Sequence, residues 1–353
     1  MPAKIPATVI TGFLGAGKTT LIRHMLANAE GKRIALIINE FGDLGVDGDI
    51  LKGCGDETCT EDDIMELSNG CICCTVAEDF VPTMEALLAR DNAPDHIVIE
   101  TSGLALPQPL VRAFNWPEIR TKVTVDGVVT VVDGRAVEDG QFAHNLDAVA
   151  AQRAADDNLD HETPLSELFE DQIACADMIV VNKTDLLEDA GAGLATRLKG
   201  SAREGVQVVK SSMGALPVDV LLGQGIGAED DLAARHEVHH HHHDHDDDHH
   251  DDDHHHHDHD HDDFESFVVE TGEIADVTAY LERLADVIRA QNVLRLKGFV
   301  SVAGKPLRLT VQAVGPRIDS YFDQPVGADR ATRLVVIGEA GLDRHAITAG
   351  VQA

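Results

Sequence analysis

Residues Gly12-Phe-Leu-Gly-Ala-Gly-Lys-Thr19 constrain this chain more than any other stretch, because they fit the phosphate-loop pattern G-x-x-x-x-G-K-[ST]. Gly12, Gly15, Ala16 and Gly17 give a backbone that can wrap phosphate oxygens, its amides pointing inward at the start of the next helix. Lys18 would reach the β- and γ-phosphates, and the Thr19 hydroxyl, followed by Thr20, would ligate Mg²⁺. Such a loop needs a strand running into it and a helix leaving it. The sequence offers both, in Ala7–Thr11 (ATVIT) and Lys18–Ala29. Pattern and context together argue against a chance glycine turn.

Similar short β-branched runs recur downstream at Arg33–Asn39, His96–Glu100, Gly127–Val132, Met178–Asn182 and Val206–Lys210, with helix-length stretches such as Leu165–Cys175 between them. Continuous rather than alternating apolar runs suit parallel strands covered on both faces. The expected fold class is α/β: a doubly wound, mostly parallel P-loop domain over residues 1–235. Residues 236–263 follow as a linker. Within it His239–Asp263 consists of 14 histidines and 11 aspartates, with nothing apolar to bury, and it reads as a flexible, disordered, metal-attracting segment. Residues 264–353 then predict a smaller α/β domain with a mostly antiparallel sheet and a helix over Ile274–Ala290.

Composition narrows the function. The formal net charge of −34 leaves no basic surface for a nucleic-acid partner. No run approaches the roughly 18 apolar residues of a membrane span. The opening MPAKIPATVITGF lacks the order of an export signal, so a soluble, cytoplasmic protein without a membrane partner is expected. Six cysteines are too few for a disulfide framework, and three crowd into Cys71-Ile-Cys73-Cys74, which suits metal or redox chemistry in a reducing compartment.

Further motifs sort by the chemistry they allow. Asn182-Lys183-Thr184-Asp185 closes a late strand, where the Asp185 carboxylate can accept from the N1 and N2 donors of guanine, which adenine lacks. Asn182 would face the base edge, and Lys183 would pack over the ring. Glu100-Thr-Ser-Gly103 places an acid where the Mg²⁺ shell needs one, directly or through water, with the Gly103 amide near the γ-phosphate. Asn39-Glu40-Phe-Gly-Asp43 is a candidate switch segment, with Glu40 and Asp43 near metal or attacking water. Lys18, Glu100 and Glu40 are thus the candidate catalytic set. Cys71, Cys73 and Cys74 suit a soft or borderline divalent ion, with redox chemistry and plain burial as the alternatives. Cys54 and Cys59 read as extra ligands, spare thiols or neither, and Cys175 as a small core residue.

Taken in order, TGFLGAGKTT, NEFG, GCICCTV, ETSG and NKTD, with RLKGFVSVAGKPLRLTVQAVG beyond the tract, resemble the CobW family of P-loop metallochaperone GTPases. The resemblance covers almost the whole chain. It implies slow hydrolysis of GTP and Mg²⁺ as cofactor. It also implies a cysteine-bound cargo of Co²⁺ or Zn²⁺ assembled in the GTP state and released on hydrolysis. Implied partners are the cobaltochelatase of cobalamin synthesis or another metalloprotein client. The C-terminal module is assigned by resemblance to client contact or self-association, so a homo-oligomer is also implied.

Overall fold

The computed structural model describes residues 4–29, 31–38, 64–66, 80–90, 92–155, 164–230, 264–327 and 330–352. The chain divides into two compact units, Met1–Glu237 and Val238–Ala353.

In the first unit β1 (Ile5–Thr11) leads into α1 (Lys18–Ala27), followed by β2 (Ile34–Ile38), β3 (Ile64–Glu66), α2 (Val81–Leu88), β4 (His96–Glu100) and α3 (Pro107–Ala113). Then come β5 (Val123–Asp133), α4 (Gly134–Glu138), α5 (Leu146–Ala155), α6 (Leu165–Cys175), β6 (Met178–Asn182), α7 (Ala192–Ser201), β7 (Gln207–Lys210) and α8 (Val218–Leu221). The sheet order is β3-β2-β4-β1-β5-β6-β7, and every pairing is parallel. Strands β2, β4 and β6 are buried at every position, which is why they read as unbroken apolar runs. Ile37, Ile99, Val9 and Phe114 form part of the core, with the Phe80 ring tilted against Phe114 at a centroid distance of 5.4 Å. Cys175 is also buried there.

The order of strands decides where chemistry can happen. From β1 the chain turns one way to β2 and the other way to β5, so a crevice opens at the carboxyl ends of these strands. Strand β5 starts four residues before the apolar run that predicts it, because Asp126 interrupts that run. Its buried carboxylate accepts the amides of Gly223 (2.6 Å) and Gly225 (2.7 Å) and the Thr8 hydroxyl (3.2 Å). A polar residue with that many donors can sit inside a sheet.

The second unit holds β8 (Phe264–Thr271), α9 (Val277–Ala290), β9 (Arg295–Val300), β10 (Leu307–Val314), β11 (Arg317–Pro325), β12 (Thr332–Glu339) and α10 (Arg344–Gln352). Its sheet order is β11-β10-β9-β12-β8, antiparallel throughout. Leu284 and Ile288 of α9 pack with Leu296, Val311, Val336 and Ile347. Helix α9 begins at Val277 rather than Ile274, because the Asp276 side chain caps it by accepting the Ala279 amide at 3.1 Å.

Candidate functional site

The crevice is a cavity of about 830 Å³ lined by the glycine-rich loop and by the loops leaving β4, β5 and β6. Gly12 takes φ 135°, and a Cβ there would lie 2.1 Å from the Val131 carbonyl oxygen. Only glycine lets β1 turn this close to β5. Helix α1 starts at Lys18 with no side chain capping its first amides and no acid in its first turn. Those amides can therefore serve an anion. Lys18 is only 7% exposed, and its ammonium donates to the carbonyls of Gly12 (2.8 Å) and Phe13 (3.4 Å). It is thus fixed at the loop mouth. Gly15, Gly17, Thr19 and Thr20 line the same cavity, and Ala16 is buried behind it.

At the end of β4, Glu100 is also 7% exposed, and the Thr19 hydroxyl donates to its Oε1 at 3.4 Å. A hydroxyl and a carboxylate side by side are hard oxygen donors, which suits Mg²⁺. Gly103 lies against the loop so closely that a Cβ would approach the Leu14 nitrogen to 2.7 Å. Its carbonyl and that of Ala105 accept from Nε2 of Gln172 at 3.1 and 3.2 Å. The buried Gln172 therefore sets the position of the loop after β4.

At the end of β6, Asn182 spans two loops. Its Nδ2 donates to the Ala16 carbonyl at 2.9 Å, and its Oδ1 accepts the Gly214 amide at 3.1 Å. Lys183 sits in the left-handed region at φ 61°, and its ammonium donates to the buried Asp133 carboxylate at 2.6 Å. Asp185 is exposed at the cavity wall, and its Oδ1 accepts the Ser212 hydroxyl at 2.8 Å. Leu186 and Met213, 54% and 72% exposed, flank it and offer apolar surface to a flat ring. One end of the cavity can therefore take phosphate and cation, and the other a planar base with two adjacent donors.

Residues 12, 15, 17–19, 100, 103, 182, 183 and 185 thus come together as one site. Sequence reasoning missed Asp133, Gln152, Gln172, Ser212 and Gly214, which act through partners far away in the chain. A signal for the last two existed: Ser211-Ser-Met-Gly214 directly follows strand β7, at the same sheet edge as Asn182. Glu40, Asp43, Cys54, Cys59, Cys71, Cys73, Cys74 and the tract His239–Asp263 lie outside the described residues. Among the described residues no group of three or more His, Cys, Asp or Glu is placed to hold a metal ion, and no helix is long and apolar enough to cross a membrane.

Residues 6–210 match the family model described as CobW/HypB/UreG, nucleotide-binding domain, and residues 264–353 match the cobalamin synthesis protein cobW C-terminal domain. The chain is 59% identical over 357 residues to a protein named zinc chaperone CobW from Sinorhizobium sp, covering 99% of this chain and 97% of that one. A protein of the same name from Pseudomonas aeruginosa is 52% identical, with 98% and 90% covered. The zinc chaperone YjiA from Escherichia coli is 30% identical, with 95% and 94% covered. The crystal structure of Zn(II)-bound YjiA GTPase from E. coli aligns over 99% of this chain and 98% of its own, at 22% identity and a TM-score of 0.42.

Proposed function

This chain belongs to the CobW/HypB/UreG family of P-loop GTPases, and from that premise we propose that it is a metallochaperone whose cargo site is governed by bound GTP. The observation that carries the nucleotide half is the single cavity that joins Lys18, the Thr19–Glu100 pair and the Asn182–Lys183–Asp185 turn. In this reading the amides at the start of α1 and the Lys18 ammonium bind the β- and γ-phosphates. Thr19 and Glu100 hold Mg²⁺, which neutralises charge on the phosphate oxygens. Asp185 accepts the N1 and N2 donors of guanine while Ser212 fixes its other lone pairs. Lys183, braced by Asp133, lies along the ring, and Asn182 ties the base-reading loop to the phosphate loop. Equilibrium binding of Mg²⁺ with GTP, ATP and GDP checks this half. Guanine nucleotides bind the parent and ATP does not; equal binding of GTP and ATP sinks it.

The cargo half rests on Cys71, Cys73 and Cys74, whose thiolates suit a borderline divalent ion. Zinc is the better-supported cargo. Relatives 59% and 52% identical are named zinc chaperones, and Zn²⁺ outranks Co²⁺ in intrinsic affinity for such ligands. Cobalt, delivered to a cobaltochelatase in the cytoplasm, is the second reading, favoured by the description of the C-terminal family model. The His/Asp tract would act as a low-affinity reservoir, so deleting residues 239–263 lowers metal capacity and spares GTP hydrolysis.

A further inference from the structure

The two edges of the five-stranded sheet are finished differently. Strand β8 lies at one, and the Gln352 side chain of α10 donates to its Glu270 carbonyl at 2.9 Å. Strand β11 lies at the other and is bonded to β10. Among the described residues, no hydrogen bond from outside β10 reaches the backbone of residues 317–322. Alternate amides and carbonyls of such a strand point away from its sheet, open to another strand. Edges are commonly blunted by short length or by proline within the strand. Strand β11 runs nine residues with its proline at the last position, and it exposes Tyr321 (53%) and Phe322 (42%).

Register decides which strand suits this edge. Ile318, Ser320 and Phe322 stand opposite Ala313, Val311 and Leu309, which are buried with α9. These three therefore share the helix-covered face, and Arg317, Asp319, Tyr321 and Asp323 share the other. A second copy of β11, antiparallel about a twofold axis through Ser320, sets Arg317 opposite Asp323, Ile318 opposite Phe322 and Asp319 opposite Tyr321. Moving the axis to Asp319 sets that residue against itself, and moving it to Tyr321 sets Asp319 against Asp323. Like charges directly opposite disfavour both. Among the described residues Arg317 and Asp319 make no ion pair, while Asp323 holds Arg308 at 3.0 Å and keeps lone pairs for a second guanidinium.

We propose that β11 is a self-association surface, on which two copies of this chain pair antiparallel about Ser320 and join their five-stranded sheets edge to edge. The pairing makes no use of the nucleotide site.

The test uses the full chain in EDTA, so that metal on the His/Asp tract cannot bridge copies. Sedimentation velocity over a concentration series follows the dimer. Arg317→Asp turns both symmetry-related pairs into like charges and is expected to weaken it by about tenfold or more. Its melting midpoint should stay unchanged, because Arg317 is exposed. Opposed residues of antiparallel strands have Cα atoms roughly 4.5–5.5 Å apart, within reach of a disulfide. Ser320→Cys is therefore expected to give a covalent dimer on oxidation with diamide, with mass spectrometry placing the link between the introduced thiols. Arg317→Cys, whose thiols would lie roughly 20 Å apart, is expected to give none. A parent still monomeric at about 100 µM overturns the proposal. So does a dimer that Arg317→Asp weakens by less than about threefold, or one in which Ser320→Cys links no faster than Arg317→Cys.

Discussion

At the carboxyl ends of β1, β4, β5 and β6, the first unit buries Lys18, Glu100, Asp133 and Asn182 together. The five-stranded sheet of the second unit is built differently: its core is aliphatic apart from Tyr280, and ion pairs such as Arg333–Glu270 (2.9 Å) lie on the outside. Burying a charge costs several kcal/mol unless partners offset it, whereas exposed pairs contribute about 0–1 kcal/mol. In the first unit these four buried polar residues sit around a crevice where a ligand could use them. In the second, the buried polar residues among those described are Arg295, Ser301, Thr310 and Thr332, and the Thr332 hydroxyl donates to the Gly272 carbonyl at 2.8 Å.

The largest effect that could break this contrast comes from adding one methyl group to each unit. Gly12→Ala forces a Cβ to 2.1 Å from the Val131 oxygen, and should cost about 4 kcal/mol or more and abolish nucleotide binding. Gly272→Ala in the second unit meets nothing within 4 Å and should change stability by less than about 1 kcal/mol. Urea denaturation of both variants decides the matter, and comparable losses would erase the distinction.

A smaller effect sharpens the functional side. Asp185 is exposed and bonds Ser212, so Asp185→Asn should leave stability unchanged while weakening GTP by about a hundredfold and improving xanthosine triphosphate. Fluorescent-nucleotide displacement reads both. Unaltered GTP affinity would mean that the base lies elsewhere.

The smallest effect belongs to the second unit. Burial pushes the Tyr280 phenol up to about 12 from its usual 10, with Arg283 opposing this weakly. The folded state keeps this proton at pH values where the unfolded chain loses it. The stability it contributes is therefore complete below about pH 10 and falls as pH rises toward 12. Tyr280→Phe should flatten that decline in denaturation midpoints measured between pH 9 and pH 11, chosen as roughly the range where the unfolded phenol ionises. An identical slope in parent and variant would place the titration in another group.

Much of this was legible in sequence because it is local. Strands β4 and β6 and helix α6 begin and end where apolar runs do, and the loop at Gly12–Thr19 declares itself through glycine spacing. What was illegible depends on distant partners or on exposure. Strand β3 has three residues, too few to show a period. Strand β11 is an edge, exposed at nearly every position, and its RIDSYFDQP carries no apolar stripe. In the site, the phosphate loop, Glu100 and the Asn182–Asp185 turn were readable as motifs. Gln172, Gln152 and Asp133 were not, since a glutamine in a helix or an aspartate closing a strand gains its role only from groups about fifty or more positions away.

If bound nucleotide governs the cargo site, Zn²⁺ affinity must differ between the triphosphate and diphosphate states. Zn²⁺ affinity of the full chain, measured by competition with a chromophoric chelator in Mg²⁺ and a non-hydrolysable GTP analogue and again in Mg²⁺ and GDP, tests it most directly. Binding is expected to be tighter by about tenfold or more in the triphosphate state, with the difference lost in Cys73→Ala. Equal Zn²⁺ affinity in the two nucleotide states would contradict it.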